Sequence, residues 1–219
     1  MTTLHNGLAS ARCLRSFTWP SDRALRIGLS GGIGAGKTTV AQVFEQTGAI
    51  IADADELARE VVAAGSVGLA AIVEAFGRNI LTDDGALDRR RLASLVFSDP
   101  NARATLEAIT HPLIGQRAEA ILNTAPVGGI ALYDVPLLVE QHMADQFDLV
   151  IIVDAPIEQR IRRLARRGID RAQALQRIHA QASLADRRRV AHIWIHNAGS
   201  ETELAGLVSA VIRTWIMPG

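Results

Sequence analysis

Short apolar runs alternate with longer amphipathic segments along most of the chain. The apolar runs predict β-strands at residues 26–30, 49–52, 130–135, 149–153 and 193–195. The first amphipathic segment predicts a helix over residues 36–47. Strands that alternate with helices are typical of an α/β fold built around a parallel sheet. We therefore predict a parallel sheet flanked by helices.

A long stretch between the second and third predicted strands has helical periodicity and no strand-like run. It predicts a helical insertion over about residues 57–123. Inside it, Asp99 followed by Pro100 is typical of a helix start, because proline suits the first helical position. Pro112 is expected to kink or interrupt the helix that starts there. Residues 200–203 (Ser-Glu-Thr-Glu) predict a capping box at the start of the last helix.

The first 25 residues differ from the rest of the chain. They contain three arginines, a single acidic residue (Asp22) and no sustained hydrophobic period. A bias toward arginine and serine is compatible with a transit peptide, but a disordered extension explains the pattern more simply. We therefore expect residues 1–25 to be a disordered N-terminal extension followed by one domain, residues 26–219.

Composition restricts the class of protein. A chain of 219 residues with 48% hydrophobic content is long enough to bury a continuous core. Its 23 basic and 23 acidic residues cancel, so no overall field attracts nucleic acid or an anionic membrane. No run approaches the roughly 18 apolar residues of a membrane span, and one cysteine, Cys13, fits a reducing compartment. We expect a soluble, cytoplasmic protein without a nucleic-acid or membrane partner.

One segment carries strong chemical information. Residues 31–38 (Gly-Gly-Ile-Gly-Ala-Gly-Lys-Thr) match the phosphate-loop pattern G-x-x-x-x-G-K-[ST] between a predicted strand and a predicted helix. In such a loop the backbone N–H groups and the helix N-terminus bind phosphate oxygens. Lys37 would reach the β- and γ-phosphates, and Thr38 would offer its hydroxyl to Mg²⁺. The predicted nucleotide-binding residues are Gly32, Ile33, Gly34, Ala35, Gly36, Lys37, Thr38 and Thr39.

The position of Lys37 argues against a chance match, because it is the only lysine in the chain. A compact ammonium and a planar guanidinium are not interchangeable at such a site. A GTPase that reads guanine through Asn-Lys-x-Asp would need a second lysine, and a dinucleotide fingerprint would need glycine at position 37. No strand ends in the Asp-Glu pair that large mechanical ATPases usually carry. A small-molecule kinase is the favoured class.

Two carboxylates, Asp53 and Asp55, follow the second predicted strand. Open α/β sheets bind ligands at the carboxyl ends of their strands. A kinase acting on a hydroxyl needs a carboxylate that orients the hydroxyl and accepts its proton. One of these two residues is the candidate base, and N-capping of the following helix is the alternative role for each.

Arginines are concentrated on the helix predicted after the fourth strand. A lid over a triphosphate needs at least one guanidinium aimed at the transferring phosphoryl group. Arg163 and Arg167, one helical turn apart, are the candidates, whereas Arg160 and Arg162 are expected on a solvated face. A second cluster consists of Arg187, Arg188 and Arg189.

From Arg26 to about Ser200 the chain resembles the dephospho-coenzyme A kinases. Phosphate loops occur in many families, so the resemblance depends on the later segments. These are Asp53-Ala54-Asp55 with Arg59, Phe76-Gly77, residues 84–89 (Asp-Gly-Ala-Leu-Asp-Arg), residues 109–114 (Ile-Thr-His-Pro-Leu-Ile), residues 134–140 (Asp-Val-Pro-Leu-Leu-Val-Glu), Gln181, Ala191 and residues 197–199 (Asn-Ala-Gly). The chain departs from the family pattern at His192, where aspartate is usual, and at Ser183, where proline is common.

The resemblance implies a P-loop kinase that uses ATP and Mg²⁺ to phosphorylate the ribose 3′-hydroxyl of dephospho-coenzyme A, the last step of coenzyme A biosynthesis. It implies that Asp55 is the base and that Arg59 and His111 help to bind the substrate. The helical insertion would then bind the coenzyme A portion, and an arginine-rich lid would cover about residues 157–190. A kinase with another small acceptor and a non-catalytic nucleotide-binding module are the alternatives.

Overall fold

The computed structural model describes residues 2–217. Within that range the chain forms a mixed seven-stranded sheet flanked by helices. The strands are β1 (Thr3–Asn6), β2 (Ala9–Cys13), β3 (Leu25–Gly31), β4 (Ile50–Asp53), β5 (Ile130–Asp134), β6 (Leu149–Asp154) and β7 (Ile193–Asn197). The helices are α1 (Lys37–Gln46), α2 (Ala54–Glu60), α3 (Val67–Phe76), α4 (Arg89–Ser98), α5 (Pro100–Leu122), α6 (Ile157–Ala165), α7 (Arg171–His179), α8 (Leu184–Val190) and α9 (Glu201–Val211).

The strand order across the sheet is β1-β2-β7-β6-β3-β5-β4. β3 pairs parallel with both β5 and β6, and β6 pairs parallel with β7. The prediction of an α/β fold with a parallel sheet is therefore confirmed for the centre of the sheet. β1 and β2 add an antiparallel edge, which makes the sheet mixed.

The central strands are apolar because helices cover both faces of a parallel sheet. All five residues of β5 are buried, and so are the first five of β6. Ile27 and Leu29 of β3 pack in the same core as Phe44 of α1 and Leu207 of α9. The start of α9 carries the predicted capping box, in which the Ser200 side chain accepts from the Glu203 backbone and the Glu203 side chain accepts from the Ser200 backbone.

The expectation that residues 1–25 are disordered is wrong. They contain β1 and β2, which form a hairpin whose second strand pairs antiparallel with β7. Ala9 and Ala11 are fully buried, and the Trp19 indole N–H donates to the carbonyl of Ile216 at 2.7 Å. The missed signal is Gly7, which has φ 57° and is the first residue of the two-residue loop Gly7-Leu8 between the paired residues Asn6 and Ala9. The segment contributes small residues to the core, so it shows no strong hydrophobic period.

The chain divides into two compact units, one formed by residues 1–52 and 122–219 and the other by residues 53–121.

The unit of residues 53–121 is helical. It contains α2 to α5 and has its own core, in which Val62, Ile72, Ile80 and Leu92 are buried. This unit corresponds to the helical insertion expected at about 57–123. The expected interruption at Pro112 does not occur. Pro112 lies inside α5, which is 23 residues long and ends at Leu122. Proline removes only one N–H donor, and the other backbone bonds of so long a helix remain.

Three short helices, α6 to α8, occupy the range expected to form a lid. Ile161 and Leu164 of α6 pack against Ala174 and Ile178 of α7 in a small separate core. Arg162 is exposed, as expected. Arg160 is not, since it is only 4% exposed and the expectation of a solvated face is wrong for it. Helical periodicity defines a face of α6 but not what covers that face.

Among the described residues, no helix combines the length and the apolar character needed to cross a membrane.

Candidate active site

The phosphate loop connects β3, at the centre of the sheet, to α1. Gly34 and Gly36 adopt positive φ angles of 75° and 110°, which glycine reaches without steric cost. α1 starts at Lys37 without a side-chain cap, so its first backbone N–H groups are not occupied by a capping side chain. A helix start of this kind is a ready anion site, because its N–H groups and its dipole favour negative charge.

The carbonyl groups of the loop are bound by side chains from outside the loop. Asn197 at the end of β7 donates from Nδ2 to Ala35 O at 2.7 Å. Arg163 of α6 donates from Nη1 to Ala35 O at 3.0 Å and to Gly34 O at 3.2 Å. These contacts satisfy carbonyl groups that would otherwise repel a phosphate.

The peptide groups of Ile33 are held on both sides. Arg160 donates from Nε to Ile33 O at 2.8 Å, and the Ile33 N–H donates to Gln181 Oε1 at 2.8 Å. Gln181 Oε1 also accepts from Arg160 Nη2 at 3.0 Å, which closes the network. Burial lowers the pKa of Arg160, and the like charge of Arg187 lowers it further. The desolvated guanidinium therefore depends on these acceptors.

Two glycines of the loop are required by close packing. A Cβ atom on Gly32 would lie 2.6 Å from Arg160 Cζ, and one on Gly36 would lie 2.6 Å from Asn197 Nδ2. A side chain at either position would displace the group that supports the loop. The pattern of glycines in the sequence thus matches the space left by Arg160 and Asn197.

Lys37 of the phosphate loop forms an ion pair with Asp134. Its Nζ lies 3.3 Å from Asp134 Oδ1, and the two side chains are 18% and 9% exposed. Asp134 is the last residue of β5, next to β3 in the sheet. No role for Asp134 is predicted from the sequence, although a carboxylate that ends an otherwise hydrophobic, fully buried strand is a signal that could have found it.

The donors near the start of α1 suit Mg²⁺. The Thr38 side chain is exposed in the first turn, and Asp134 supplies a hard carboxylate oxygen. Within residues 2–217 no group of three or more His, Cys, Asp or Glu side chains could hold a metal ion. A hydroxyl and a carboxylate oxygen fit Mg²⁺, which usually binds one or two protein ligands and completes its shell with phosphates and water.

The structure separates the roles of Asp53 and Asp55. Asp53 is the N-cap of α2, where its Oδ1 accepts from the Glu56 N–H at 2.9 Å. Asp55 is exposed in the first turn of α2, and among the described residues its side chain makes no hydrogen bond or ion pair. Capping therefore occupies Asp53 and leaves the carboxylate of Asp55 available.

The remaining predicted substrate residues lie in the same helical unit as Asp55. Arg59 is exposed in the last turn of α2, four residues after Asp55, so the two share a face of that helix. His111 is exposed near the middle of α5. These positions leave all three side chains accessible to a ligand.

The two lid arginines chosen from the sequence differ in the structure. Arg163 contacts the loop carbonyls, and its Nη2 also donates to Gly199 O at 3.2 Å. Burial lowers the pKa of Arg163, and the like charge of Arg166 lowers it further. Its guanidinium supports the loop, and a contact to the phosphoryl group stays a prediction. Arg167 lies just after α6 and is exposed.

Most of the chain is similar in sequence to known proteins. A sequence profile of the dephospho-CoA kinases matches residues 25–203. The dephospho-CoA kinase of Mycolicibacterium paratuberculosis is 52% identical over 195 residues, which are 89% of this chain and 48% of that protein. The dephospho-CoA kinase of Thermobifida fusca is 48% identical over 188 residues, which are 85% of this chain and 94% of that protein. The chain thus spans about half the length of the first relative and nearly all of the second.

Solved structures show the same fold. The crystal structure of TT1252 from Thermus thermophilus has a TM-score of 0.75 and 32% sequence identity, and the match covers 87% of this chain and 97% of that one. The dephospho-CoA kinase from Campylobacter jejuni has a TM-score of 0.63 and 22% identity, over 86% of this chain and 95% of that one. The hairpin of β1 and β2 lies before the range matched by the family profile.

Proposed function

Since the chain belongs to the dephospho-CoA kinase family, we propose that it transfers the γ-phosphate of ATP to the ribose 3′-hydroxyl of dephospho-coenzyme A. The products are coenzyme A and ADP. The observation that best supports a nucleotide-dependent transfer is the loop itself. Its carbonyls are bound by Asn197, Arg163 and Arg160, and its lysine is paired with a buried carboxylate.

In this proposal the loop binds ATP through residues 32–39, with the backbone N–H groups around the phosphates. Lys37 exchanges part of its interaction with Asp134 for the β- and γ-phosphates. Because the loop is already braced by Asn197 and Arg160, little ordering is needed when the nucleotide binds. Preorganised donors of this kind are the main contribution that a protein makes to phosphoryl transfer.

We propose Thr38 and Asp134 as the protein ligands of Mg²⁺. When bound, Mg²⁺ would neutralise part of the negative charge on the β- and γ-phosphates. The support is the chemistry of the two donors, a hydroxyl and a carboxylate at the adjoining ends of α1 and β5.

Asp55 is proposed as the base. The carboxylate would orient the 3′-hydroxyl and accept its proton as the new P–O bond forms and the bond to the leaving ADP oxygen breaks. Its support is that Asp53 performs the capping and leaves Asp55 without an intramolecular partner among residues 2–217. Arg59 and His111 are proposed to bind the acceptor.

Within the lid we propose Arg167 as a contact to the phosphates, since its side chain is exposed. Arg163 is proposed to position the loop through Gly34 and Ala35, whose carbonyls its guanidinium binds, and its contact to the transferring phosphoryl group stays a prediction. The proposed compartment is the cytoplasm, where ATP and the acceptor would both be present and a lone cysteine stays reduced.

The test is ADP release by the purified chain with ATP and Mg²⁺. We expect release to depend on dephospho-coenzyme A and to be lost in Lys37→Ala. A nucleotide and a hydroxy acid serve as competing acceptors in parallel reactions. Equal stimulation by one of these would indicate a kinase with another acceptor, and ATP binding without acceptor-dependent release would indicate a non-catalytic module.

A further inference from the structure

Arg187 is a charged residue buried without a direct partner. It lies in α8 and is 5% exposed. Within the described part of the chain, residues 2–217, its guanidinium makes no hydrogen bond and no ion pair. Its neighbours behave differently, because Arg188 lies over the Trp194 ring at 5.4 Å and Arg189 binds Asp186 at 3.0 Å.

Burial of such a group is unfavourable unless an acceptor compensates for the lost water. Burial lowers the pKa of Arg187, whereas the charges of Glu140 and Asp154 oppose that shift. Neither carboxylate is close enough to form an ion pair with Arg187. Within residues 2–217 the N–H donors of the guanidinium form no hydrogen bond to the protein, and none is among the side-chain atoms that are both fully buried and unpartnered, so a ligand can reach them.

The surroundings of Arg187 place that space at the nucleotide end of the sheet. Asp154 is the last residue of β6, and Glu140 follows β5 in the chain. Arg160, which feels the positive charge of Arg187, binds the phosphate loop at Ile33. Arg187 thus lies among groups that follow the carboxyl ends of two central strands and hold the loop, where open α/β sheets bind ligands.

The other buried or half-buried arginines near the loop each bind protein acceptors. Arg160 donates to Ile33 O and Gln181 Oε1. Arg163 donates to carbonyls of the loop and to Gly199 O. Of these three, Arg187 alone has no protein acceptor within residues 2–217. A planar fork with several donors matches the oxygens of a phosphoryl group.

We propose that Arg187 binds the γ-phosphoryl group of ATP and stabilises its charge during transfer. The proposal rests on the proposed function, because it requires a triphosphate in the loop. In the step, the bond from the γ-phosphorus to the β–γ bridging oxygen breaks as the bond to the 3′-oxygen forms. The hydroxyl proton passes to Asp55, the ADP oxygen takes the electron pair, and Arg187 remains protonated throughout.

The experiment compares Arg187→Met and Arg187→Lys with a matched control, Arg189→Met, on the same helix but exposed. Single-turnover transfer to dephospho-coenzyme A, the dissociation constants of ATP and ADP, and the melting temperature are measured for each. We expect Arg187→Met to slow transfer by about 10²- to 10³-fold. The dissociation constant of ATP should rise about ten- to a hundredfold, and that of ADP should not change.

Arg187→Lys should recover only part of the loss, because an ammonium lacks the fork. Arg189→Met should behave like the wild type. Unchanged transfer in Arg187→Met would overturn the proposal. An equal loss of ATP and ADP affinity would also overturn the proposal. Together with a lowered melting temperature, that result would show that Arg187 stabilises the fold and does not contact the γ-phosphate.

The two proposals fail in different ways. A wild-type chain that binds ATP but does not phosphorylate dephospho-coenzyme A contradicts the proposed function. In that case the ratio of ATP to ADP affinity in Arg187→Met still decides whether Arg187 contacts the γ-phosphate.

Discussion

Lys37 Nζ lies 3.3 Å from Asp134 Oδ1, so an ion pair joins the first residue of α1 to the last residue of β5. Both side chains are largely buried, and a buried charge is stable only with a partner. The pair holds the ammonium in place before a nucleotide binds. It also places a carboxylate beside the position of the β- and γ-phosphates.

We predict that Lys37→Ala abolishes transfer and that Lys37→Arg also loses most of it, by at least about 10²-fold. A guanidinium cannot take the place of a compact ammonium between the two phosphates. Single-turnover transfer is the measurement, with the melting temperature as a control for folding. Lys37→Arg should stay close to the wild type in melting temperature because it preserves a charge opposite Asp134. Near-native turnover in Lys37→Arg would contradict the special role of the ammonium.

Asp55→Asn tests the base. The change keeps the size of the side chain and removes its ability to take a proton, so we expect transfer to fall by about 10²- to 10⁴-fold. ATP affinity and melting temperature should not change, because Asp53 performs the capping. Single-turnover transfer and ATP titration measure these effects.

Asp53 provides the matched control for that experiment. Asp53→Asn should be mild, since asparagine is also a good N-cap, whereas Asp53→Ala should cost about 1 kcal/mol of stability. A severe loss of transfer in Asp53→Asn together with a mild one in Asp55→Asn would show that Asp53, and not Asp55, is the base.

The N-terminal hairpin is predicted to stabilise the protein. Removing residues 2–24 exposes the edge of β7 and the core against which Ala9, Ala11 and Trp19 pack. We expect a clearly lower melting temperature by calorimetry. Trp19→Phe keeps an aromatic ring but loses the bond to Ile216 O and part of the packing of the indole, and should cost at least about 1 kcal/mol. Truncation without any change in melting temperature would show that the hairpin does not contribute to stability.

His192 predicts a pH dependence of stability. Burial lowers its pKa, and the charge of Arg15 lowers it further. The neutral ring accepts a hydrogen bond at Nδ1 from the Val150 N–H, at 3.1 Å. The unfolded chain then binds a proton more readily, so stability is present above the unfolded pKa of about 6.5 and decreases as the pH falls below it.

Melting temperatures measured from neutral pH down through that range test this prediction. His192→Asn keeps an acceptor for the Val150 N–H without a group that titrates there, so its melting temperature should fall less steeply. Identical slopes for the two proteins would exclude His192 as the source of the acid sensitivity.

Local patterns in the sequence determined the central architecture. The strands at 130–135 and 149–153 were predicted within one residue of β5 and β6, because apolar runs are buried on both faces of a parallel sheet. The phosphate loop and the capping box were found because each needs certain residue types at a fixed spacing. Family resemblance added the acceptor, which no periodicity in the chain could supply.

Tertiary structure alone decided which side chains meet. Asn197 binds Ala35 across 162 residues, and Gln181 binds Ile33 across 148. The pairing of β2 with β7 connects opposite ends of the chain. Among the arginines, periodicity could not distinguish Arg160 and Arg187, which are buried, from exposed Arg162 and Arg189. Burial depends on the neighbours that the fold brings against each helix, and a helical repeat specifies only which residues share a face.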